Sequence, residues 1–257
     1  MSAERVRANL REVRDRIRAA AARSGRAAET VRLVAVTKTV SLDVIRTLLA
    51  AGQTDIGESR AQQLRDRAAA LADLSTGPGE PLAVRWHMIG RLQRNKIKYV
   101  VPTTAMIHSV DSLAVAEEIS KRALAAAEEG TRGKGRGSRV GTAETGRGTP
   151  AVCLLEVNSG EEQKGGVMPA EAPALASAVA ALPGIDLAGL MTLAPLAEDP
   201  EAVRPVFAAL RQLLQRLNRE ASLPRPLTEL SMGMTQDYEA AIEEGATIVR
   251  VGTALFR

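Results

Sequence analysis

The sequence predicts an α/β protein built as one (β/α)8 TIM barrel, a single domain over residues 1–257 with an extra helix before the first strand. Eight strand-like segments alternate with helical segments, and the length suits this barrel. Aromatic residues make up only 2% of the chain, which favours an aliphatic core of helices packed on a buried sheet. The alternative is an open doubly wound sheet, but no G-x-G-x-x-G motif follows the first predicted strand.

The first elements form a helix followed by a strand-helix unit. The opening segment has apolar residues at the spacing of an amphipathic helix, namely Val6, Leu10, Val13 and Ile17. Residues 33–36 form a continuous apolar run, which is typical of a strand buried on both faces. The next helix is predicted over residues 41–51, with Ser41 as its N-cap and Gly52 as its stop.

The alternation continues along the rest of the chain. Further strands are predicted at residues 54–57, 85–89, 105–108, 152–157, 185–191, 227–230 and 247–251. The clearest helix starts at Asp199 as N-cap and Pro200 in the first turn. Its apolar face contains Val203, Val206, Phe207, Leu210, Leu213, Leu214 and Leu217.

A segment rich in glycine and arginine, residues 130–149, interrupts the pattern. Five basic residues and one acidic residue lie between Arg132 and Arg147, with no aromatic side chain to stack on a base. The composition favours a flexible surface insertion over a nucleic-acid-binding arm.

Several features of the sequence exclude particular classes of protein. Cys153 is the only cysteine, so no intrachain disulfide can form, and no apolar run is long enough to span a membrane. We therefore expect a cytoplasmic protein without membrane or nucleic-acid partners. His87 and His108 are the only histidines, and their spacing favours hydrogen-bonded barrel residues over a metal site.

Lys38 is the candidate nucleophile. It follows the first predicted strand and shares a strand face with Val34 and Val36. The carboxyl ends of barrel strands form the active face, where partial desolvation makes a lysine amine available for imine formation. The alternative is a solvated lysine just beyond a strand.

A candidate phosphate site lies in the turns after the seventh and eighth strands. Gly233 and Gly252 permit close approach of the backbone, and Ser231 and Thr253 can donate hydroxyl hydrogen bonds. Met232 lies within the first of these turns. The alternative is a pair of tight turns with N-cap hydroxyls.

Arg250 is the charged residue that says most about the ligand. It lies two residues before Gly252 on the eighth strand and shares a strand face with Ile248. A ring nitrogen is a suitable partner, and a permanently charged arginine would keep that nitrogen unprotonated and weaken pyridoxal 5′-phosphate as an electron sink. The alternative is a salt bridge to a barrel carboxylate such as Glu156.

These residues resemble the YggS/PROSC-type pyridoxal phosphate homeostasis proteins over the whole chain. The resemblance is carried by seven ordered motifs, at residues 33–39, 56–58, 86–90 with 92–93 and 95–96, 108–111, 189–192, 230–234 and 249–254. This sequence differs from the family at Ser59, because the family usually has asparagine after Gly57-Glu58.

The resemblance implies a barrel like the N-terminal domain of alanine racemases, with pyridoxal 5′-phosphate (PLP) as a Schiff base on Lys38. It places Ser231, Gly252 and Thr253 around the phosphate and Arg250 toward the ring nitrogen. It also implies a non-catalytic role in PLP homeostasis, with PLP-accepting apoenzymes as candidate partners and a monomer or weak homodimer as the assembly.

Two enzymes are the alternatives. A PLP-dependent amino-acid racemase would need a second acid or base, such as His87 or a partner subunit's residue, because the sequence ends at Arg257 without the β-domain that racemases add. A Schiff-base aldolase would use Lys38 without a cofactor and would lack visible absorbance.

Overall fold

The strands form a closed parallel barrel. The computed structural model describes residues 1–72, 84–132, 149–160 and 165–257. Each strand pairs with the next along the chain, and the eighth pairs with the first, which confirms the predicted barrel over the open sheet. The strands are β1 (Arg32–Val36), β2 (Asp55–Glu58), β3 (Arg85–Met88), β4 (Thr104–Val110), β5 (Ala151–Glu156), β6 (Ile185–Met191), β7 (Glu229–Ser231) and β8 (Ile248–Val251).

The seventh strand begins later than predicted, since it was expected at residues 227–230 and lies at Glu229–Ser231. Leu227 is held outside the sheet by the side chain of Asn218. That amide accepts a hydrogen bond from the Leu227 N–H at 2.7 Å and donates one to the Leu227 carbonyl at 2.9 Å. Because both backbone groups of Leu227 are satisfied there, the strand begins later.

Helices surround the barrel. Those in the described part of the chain are α1 (Ala3–Arg23), α2 (Leu42–Ala50), α3 (Ala61–Ala70), α4 (Leu113–Arg132), α5 (Ala172–Ala180), α6 (Arg204–Glu220) and α7 (Tyr238–Glu243). Ser41 occupies the N-cap of α2 as predicted, although its side chain makes no capping hydrogen bond. Gly52 follows α2 with φ of 75°, a conformation that favours glycine, so the predicted stop is confirmed.

The first helix, α1, packs on the outside of the barrel between α2 and α7. Its predicted apolar residues Val6, Leu10, Val13 and Ile17 are all buried. The side chain of Asn9 donates to the backbone carbonyls of Leu255 at 3.3 Å and Arg257 at 2.8 Å. The helix therefore fills the gap in the outer ring next to β8 and β1.

The predicted helix after Asp199 is confirmed, with a change in its first turn. Residues Pro200–Val203 form a 3-10 turn, capped by the Asp199 carboxylate, which accepts from the Glu201 N–H at 3.0 Å, and α6 follows. Residues 130–132 of the segment predicted as a flexible insertion belong to α4. Residues 133–148 of that segment lie outside the described residues.

The core has two parts. A large apolar cluster lies between the helices and the sheet, and a smaller one lies inside the barrel, composed of Val34, Met106, Leu154, Ala188, Met191 and Ile248. The barrel interior also contains buried polar side chains, among them His87, His108, Ser231 and Arg250. No described helix is both long and apolar enough to span a bilayer.

Candidate functional site

The carboxyl ends of β1, β7 and β8 lie side by side, because β8 pairs with both other strands. Val34 is in register with Arg250, and a Cβ added at Gly252 would lie 3.3 Å from the Val36 carbonyl oxygen. The backbone that leads to Lys38 therefore passes directly beside the turn after β8. The fold brings together the ends of the three strands that carry the predicted site.

Lys38 lies in a turn two residues beyond β1, and it is exposed. The chain leaves the strand at Thr37, which is buried, and reaches the surface at Lys38; the partial desolvation expected of this amine stays a prediction. The Lys38 carbonyl accepts a hydrogen bond from the Gln63 side chain at 3.2 Å. The backbone at Lys38 is thus tied to α3.

The turn that carries Lys38 is anchored by residues whose role the sequence did not reveal. Glu58, at the end of β2, is fully buried and forms an ion pair with Arg67 of α3. The Thr37 hydroxyl donates to Glu58 Oε1 at 2.7 Å, and Arg67 Nη1 donates to the Thr37 carbonyl at 2.6 Å. Glu58 stood in one of the family motifs, but only the packing of α3 on β2 shows that it holds the Lys38 turn.

The end of β7 and the turn after it contain three predicted residues with different environments. Ser231 is fully buried inside the barrel, where its Oγ lies 2.9 Å from His108 Nδ1 and 2.6 Å from Arg250 Nη1. The side chain of Ser231 therefore contacts His108 and Arg250 inside the barrel, and its role at a phosphate stays a prediction. Met232 is buried in the outer core, and its N–H donates to the Ile248 carbonyl at 3.1 Å.

Gly233 supplies the backbone conformation of this turn. Its φ is 91°, and an added Cβ would lie 2.6 Å from the Ala241 Cβ and 2.9 Å from the Tyr238 Cα. Glycine is required there by both conformation and space. The Gly233 carbonyl accepts from the Arg250 N–H at 3.0 Å, which fastens the turn to β8.

The turn after β8 presents small residues at the mouth of the barrel. The Gly252 N–H donates to Thr235 Oγ1 at 3.3 Å, a long hydrogen bond, and Thr253 is exposed at the start of a 3-10 turn, Thr253–Leu255. Within the described residues, the N–H groups of Gly233 and Thr253 donate to no protein acceptor. Both are available to an anion.

Arg250 lies inside the barrel with only 3% of its surface exposed. Its guanidinium donates to Ser231 Oγ at 2.6 Å and to the Thr192 carbonyl at 2.8 Å. Burial lowers the pKa of Arg250 to about 10, so the group stays charged at neutral pH. No carboxylate oxygen of the described residues lies within 4.0 Å of it, which rules out the salt bridge to Glu156.

The two histidines are hydrogen-bonded barrel residues, as predicted. His87 Nε2 lies 2.8 Å from Asp55 Oδ1, and His87 Nδ1 lies 2.9 Å from His108 Nε2. Burial lowers the pKa of His87, and burial together with nearby positive charge holds the pKa of His108 well below its usual range. Both imidazoles are therefore neutral at pH 7.

The described residues contain no cluster of three or more His, Cys, Asp or Glu side chains that could hold a metal ion. Cys153 is fully buried, and burial raises the pKa of its thiol, as expected for an unreactive core cysteine. The mouth of the barrel instead combines an exposed amine, two available backbone N–H groups and a buried guanidinium. This set can bind an anion and form an imine with a carbonyl group.

Comparison with known proteins identifies the family. The model of the alanine racemase N-terminal domain matches residues 4–257. A "Pyridoxal phosphate homeostasis protein" of Aquifex aeolicus is 40% identical over 248 residues, which cover 96% of this chain and 95% of that protein.

Two solved structures are also similar. A crystal structure of an unknown protein from Bifidobacterium adolescentis is 40% identical, with a TM-score of 0.82 and coverage of 99% of this chain and 95% of that one. PipY of Synechococcus elongatus, solved with PLP bound, is 34% identical, with a TM-score of 0.71 and coverage of 89% and 93%. The chain belongs to the alanine racemase N-terminal domain family and, within it, to the family of the pyridoxal phosphate homeostasis proteins.

Proposed function

We propose that residues 1–257 act as one domain that binds PLP at the carboxyl ends of β1, β7 and β8, and that the protein serves cytoplasmic PLP homeostasis. The observation that carries this proposal is the buried guanidinium of Arg250, which forms no salt bridge within the described residues and lies on β8 beside two turns with available backbone donors. A buried cation needs an acceptor or an anion nearby. The PLP bound to the related PipY supports the choice of ligand.

The chemistry of the donors fits the parts of PLP. The N–H groups of Gly233 and Thr253 suit the phosphate, with the Thr253 hydroxyl as a further donor. Arg250 suits the ring nitrogen, because a guanidinium can only donate hydrogen bonds and therefore requires an unprotonated partner. Met232 and Ser231 support these groups from within the core, and Gly252 keeps the turn close to β1.

Lys38 is proposed to hold PLP covalently. The Lys38 amine would hold the aldehyde carbon of PLP as an imine, with the release of one water molecule. The exposure of Lys38 leaves it accessible to the ligand, and the contacts of its turn with Glu58, Arg67 and Gln63 fix the backbone from which it extends.

The proposed role is a carrier or buffer without evident catalysis. PLP can act as an electron sink when its ring nitrogen is protonated, and a charged Arg250 opposes that protonation. Both histidines are neutral and occupied by hydrogen bonds inside the barrel, so neither is free to move a proton at the barrel mouth. Release to PLP-accepting apoenzymes would follow exchange of the Lys38 amine for another amine.

Borohydride reduction followed by peptide mass analysis tests the attachment. We expect a phosphopyridoxyl group on the Lys38 peptide and a loss of visible absorbance in Lys38→Ala. Lys98→Ala, which removes an exposed lysine of the segment Arg94–Tyr99, is the matched control and should keep the absorbance. A yellow protein with an unmodified Lys38 peptide would contradict the proposal.

A second measurement tests the absence of catalysis. The holoprotein is incubated with amino acids in deuterated water, and exchange at the α-carbon is followed by NMR. Exchange that depends on Lys38 would favour the racemase-like enzyme instead.

A further inference from the structure

A row of hydrogen-bonded side chains crosses the interior of the barrel. It starts at Asp55, the first residue of β2, and passes through His87 of β3 and His108 of β4 to Ser231 at the end of β7. The successive distances are 2.8, 2.9 and 2.9 Å. The row thus connects the amino-terminal end of the barrel with the residue that contacts Arg250.

The carboxylate of Asp55 sets the direction of the hydrogen bonds. Asp55 Oδ1 accepts from Arg85 Nε at 3.0 Å and lies 3.9 Å from Arg32 Nε. Burial alone would raise the pKa of Asp55, but the hydrogen bond with His87, together with these cations, lowers it. An ionised carboxylate can only accept, so the proton of neutral His87 must be on Nε2. His87 Nδ1 is then an acceptor.

The remaining directions follow from the number of protons on a neutral imidazole. Because His87 Nδ1 accepts, His108 must donate from Nε2, and its single proton is then used. His108 Nδ1 is left as an acceptor, so the Ser231 hydroxyl donates to it. The only proton of Ser231 therefore points into the barrel, away from the proposed cofactor site.

This direction fixes what Ser231 can do at the site. With its proton committed to His108, its oxygen serves as an acceptor for Arg250 Nη1 at 2.6 Å. The Thr192 carbonyl accepts from Arg250 Nη2 at 2.8 Å, so two acceptors hold the guanidinium plane. The other N–H groups of the guanidinium remain for a ligand.

We propose that Asp55, His87 and His108 are positioning residues that fix Ser231 as a hydrogen-bond acceptor and thereby orient Arg250 toward the ring nitrogen of the cofactor. The part that concerns the cofactor rests on the proposed function, whereas the direction of the row does not. The hydrogen bonds of the row all point the same way, from Ser231 to the negative charge of Asp55. Their aligned dipoles therefore stabilise the buried positive charge of Arg250.

The direction can be measured in the unsubstituted protein. His87 and His108 are the only histidines, so an untagged sample labelled with ¹⁵N-histidine gives signals from just two imidazoles. In the protein without cofactor at neutral pH, we expect both rings to be neutral and protonated on Nε2. A proton on Nδ1 of His108, or an imidazolium at either position, would overturn the proposal.

The effect on the site is tested with the holoprotein. His108→Phe removes the acceptor of the Ser231 proton and should shift the visible absorbance maximum of bound PLP. Met106→Leu is the matched control, since Met106 lies on the same strand inside the barrel but outside the row, and it should leave the maximum unchanged.

The two tests distinguish a failure of the positioning role from a failure of the proposed function. Bound PLP with an unshifted maximum in His108→Phe would refute the positioning role. A protein that does not bind PLP at all would refute the proposed function, while the NMR result would still decide the direction of the row. The NMR measurement uses the unsubstituted protein. It therefore tests the direction of the hydrogen bonds even if His108→Phe does not fold.

Discussion

The hydroxyl of Thr37 donates a 2.7 Å hydrogen bond to the buried carboxylate of Glu58, and this contact joins the end of β1 to the end of β2. Arg67 of α3 completes the contact by pairing with Glu58 and donating to the Thr37 carbonyl. The second carboxylate oxygen, Oε2 of Glu58, is buried without a partner. The Lys38 turn therefore depends on the buried carboxylate of Glu58, whose charge is compensated by Arg67.

Arg67→Ala should lower the free energy of unfolding by about 3–5 kcal/mol, because it leaves the Glu58 carboxylate buried without its cation. Glu58→Gln in the same chain should restore part of the loss. Arg65→Ala is the control, since Arg65 lies on the same helix and forms only an exposed pair with Asp66. Urea unfolding measures all three, and equal losses for Arg67→Ala and Arg65→Ala would contradict the expectation.

The stability of the barrel should fall as the pH drops below neutral. Burial holds the pKa of His87 and His108 below the value of about 6.5 that they regain on unfolding, so below that pH the unfolded chain binds more protons. Each histidine contributes a slope of up to about 1.4 kcal/mol per pH unit. Urea unfolding between about pH 7 and 5 measures it. His87→Gln should have a shallower slope, and an unfolding free energy that is constant over this range would contradict the prediction.

Gly189→Ala should separate β6 from β7. An added Cβ would lie 1.9 Å from the Glu229 carbonyl oxygen, a backbone atom that can move only with its strand. We expect a loss of at least about 1–3 kcal/mol of unfolding free energy, typical of an overpacked core. Gly165→Ala is the control, because its Cβ would be 3.6 Å from the nearest atom, Glu156 Oε1. A thermal melt of Gly189→Ala that matches the control would show that the sheet accommodates the methyl group.

Cys153 should be inert to thiol reagents in the folded protein. It is fully buried, burial raises the pKa of its thiol, and reaction requires the thiolate. The labelling rate with a chromogenic disulfide should rise with urea in parallel with unfolding. Fast labelling without denaturant would mean that β5 opens locally.

The sequence predicted the barrel well because its strands are short apolar runs with clear helical segments between them. It missed the start of β7, since nothing in the local pattern of Leu227 shows that Asn218, from α6, satisfies its backbone. The same limit applies to Ser231 and Lys38. Both were correctly placed near the carboxyl ends of strands, but the contacts of a hydroxyl and the exposure of an amine depend on neighbours that are distant along the chain.

The histidines illustrate the limit most clearly. Their classification as hydrogen-bonded barrel residues followed from their number and spacing, whereas their partners, Asp55 and Ser231, lie 32 and 123 residues away from His87 and His108 respectively. Pairings over such separations are set by the register of the closed sheet. Single-sequence periodicity contains no information on that register.

The docking of α1 between α2 and α7 also has a kinetic consequence. During synthesis α1 emerges early, yet its partners α7 and the carbonyls of Leu255 and Arg257 are made more than two hundred residues later. The ring around the barrel therefore cannot close progressively as the ribosome proceeds. Final assembly should wait until α7 and residues 255–257 have been made, and until then the apolar face of α1 lacks part of its native partners.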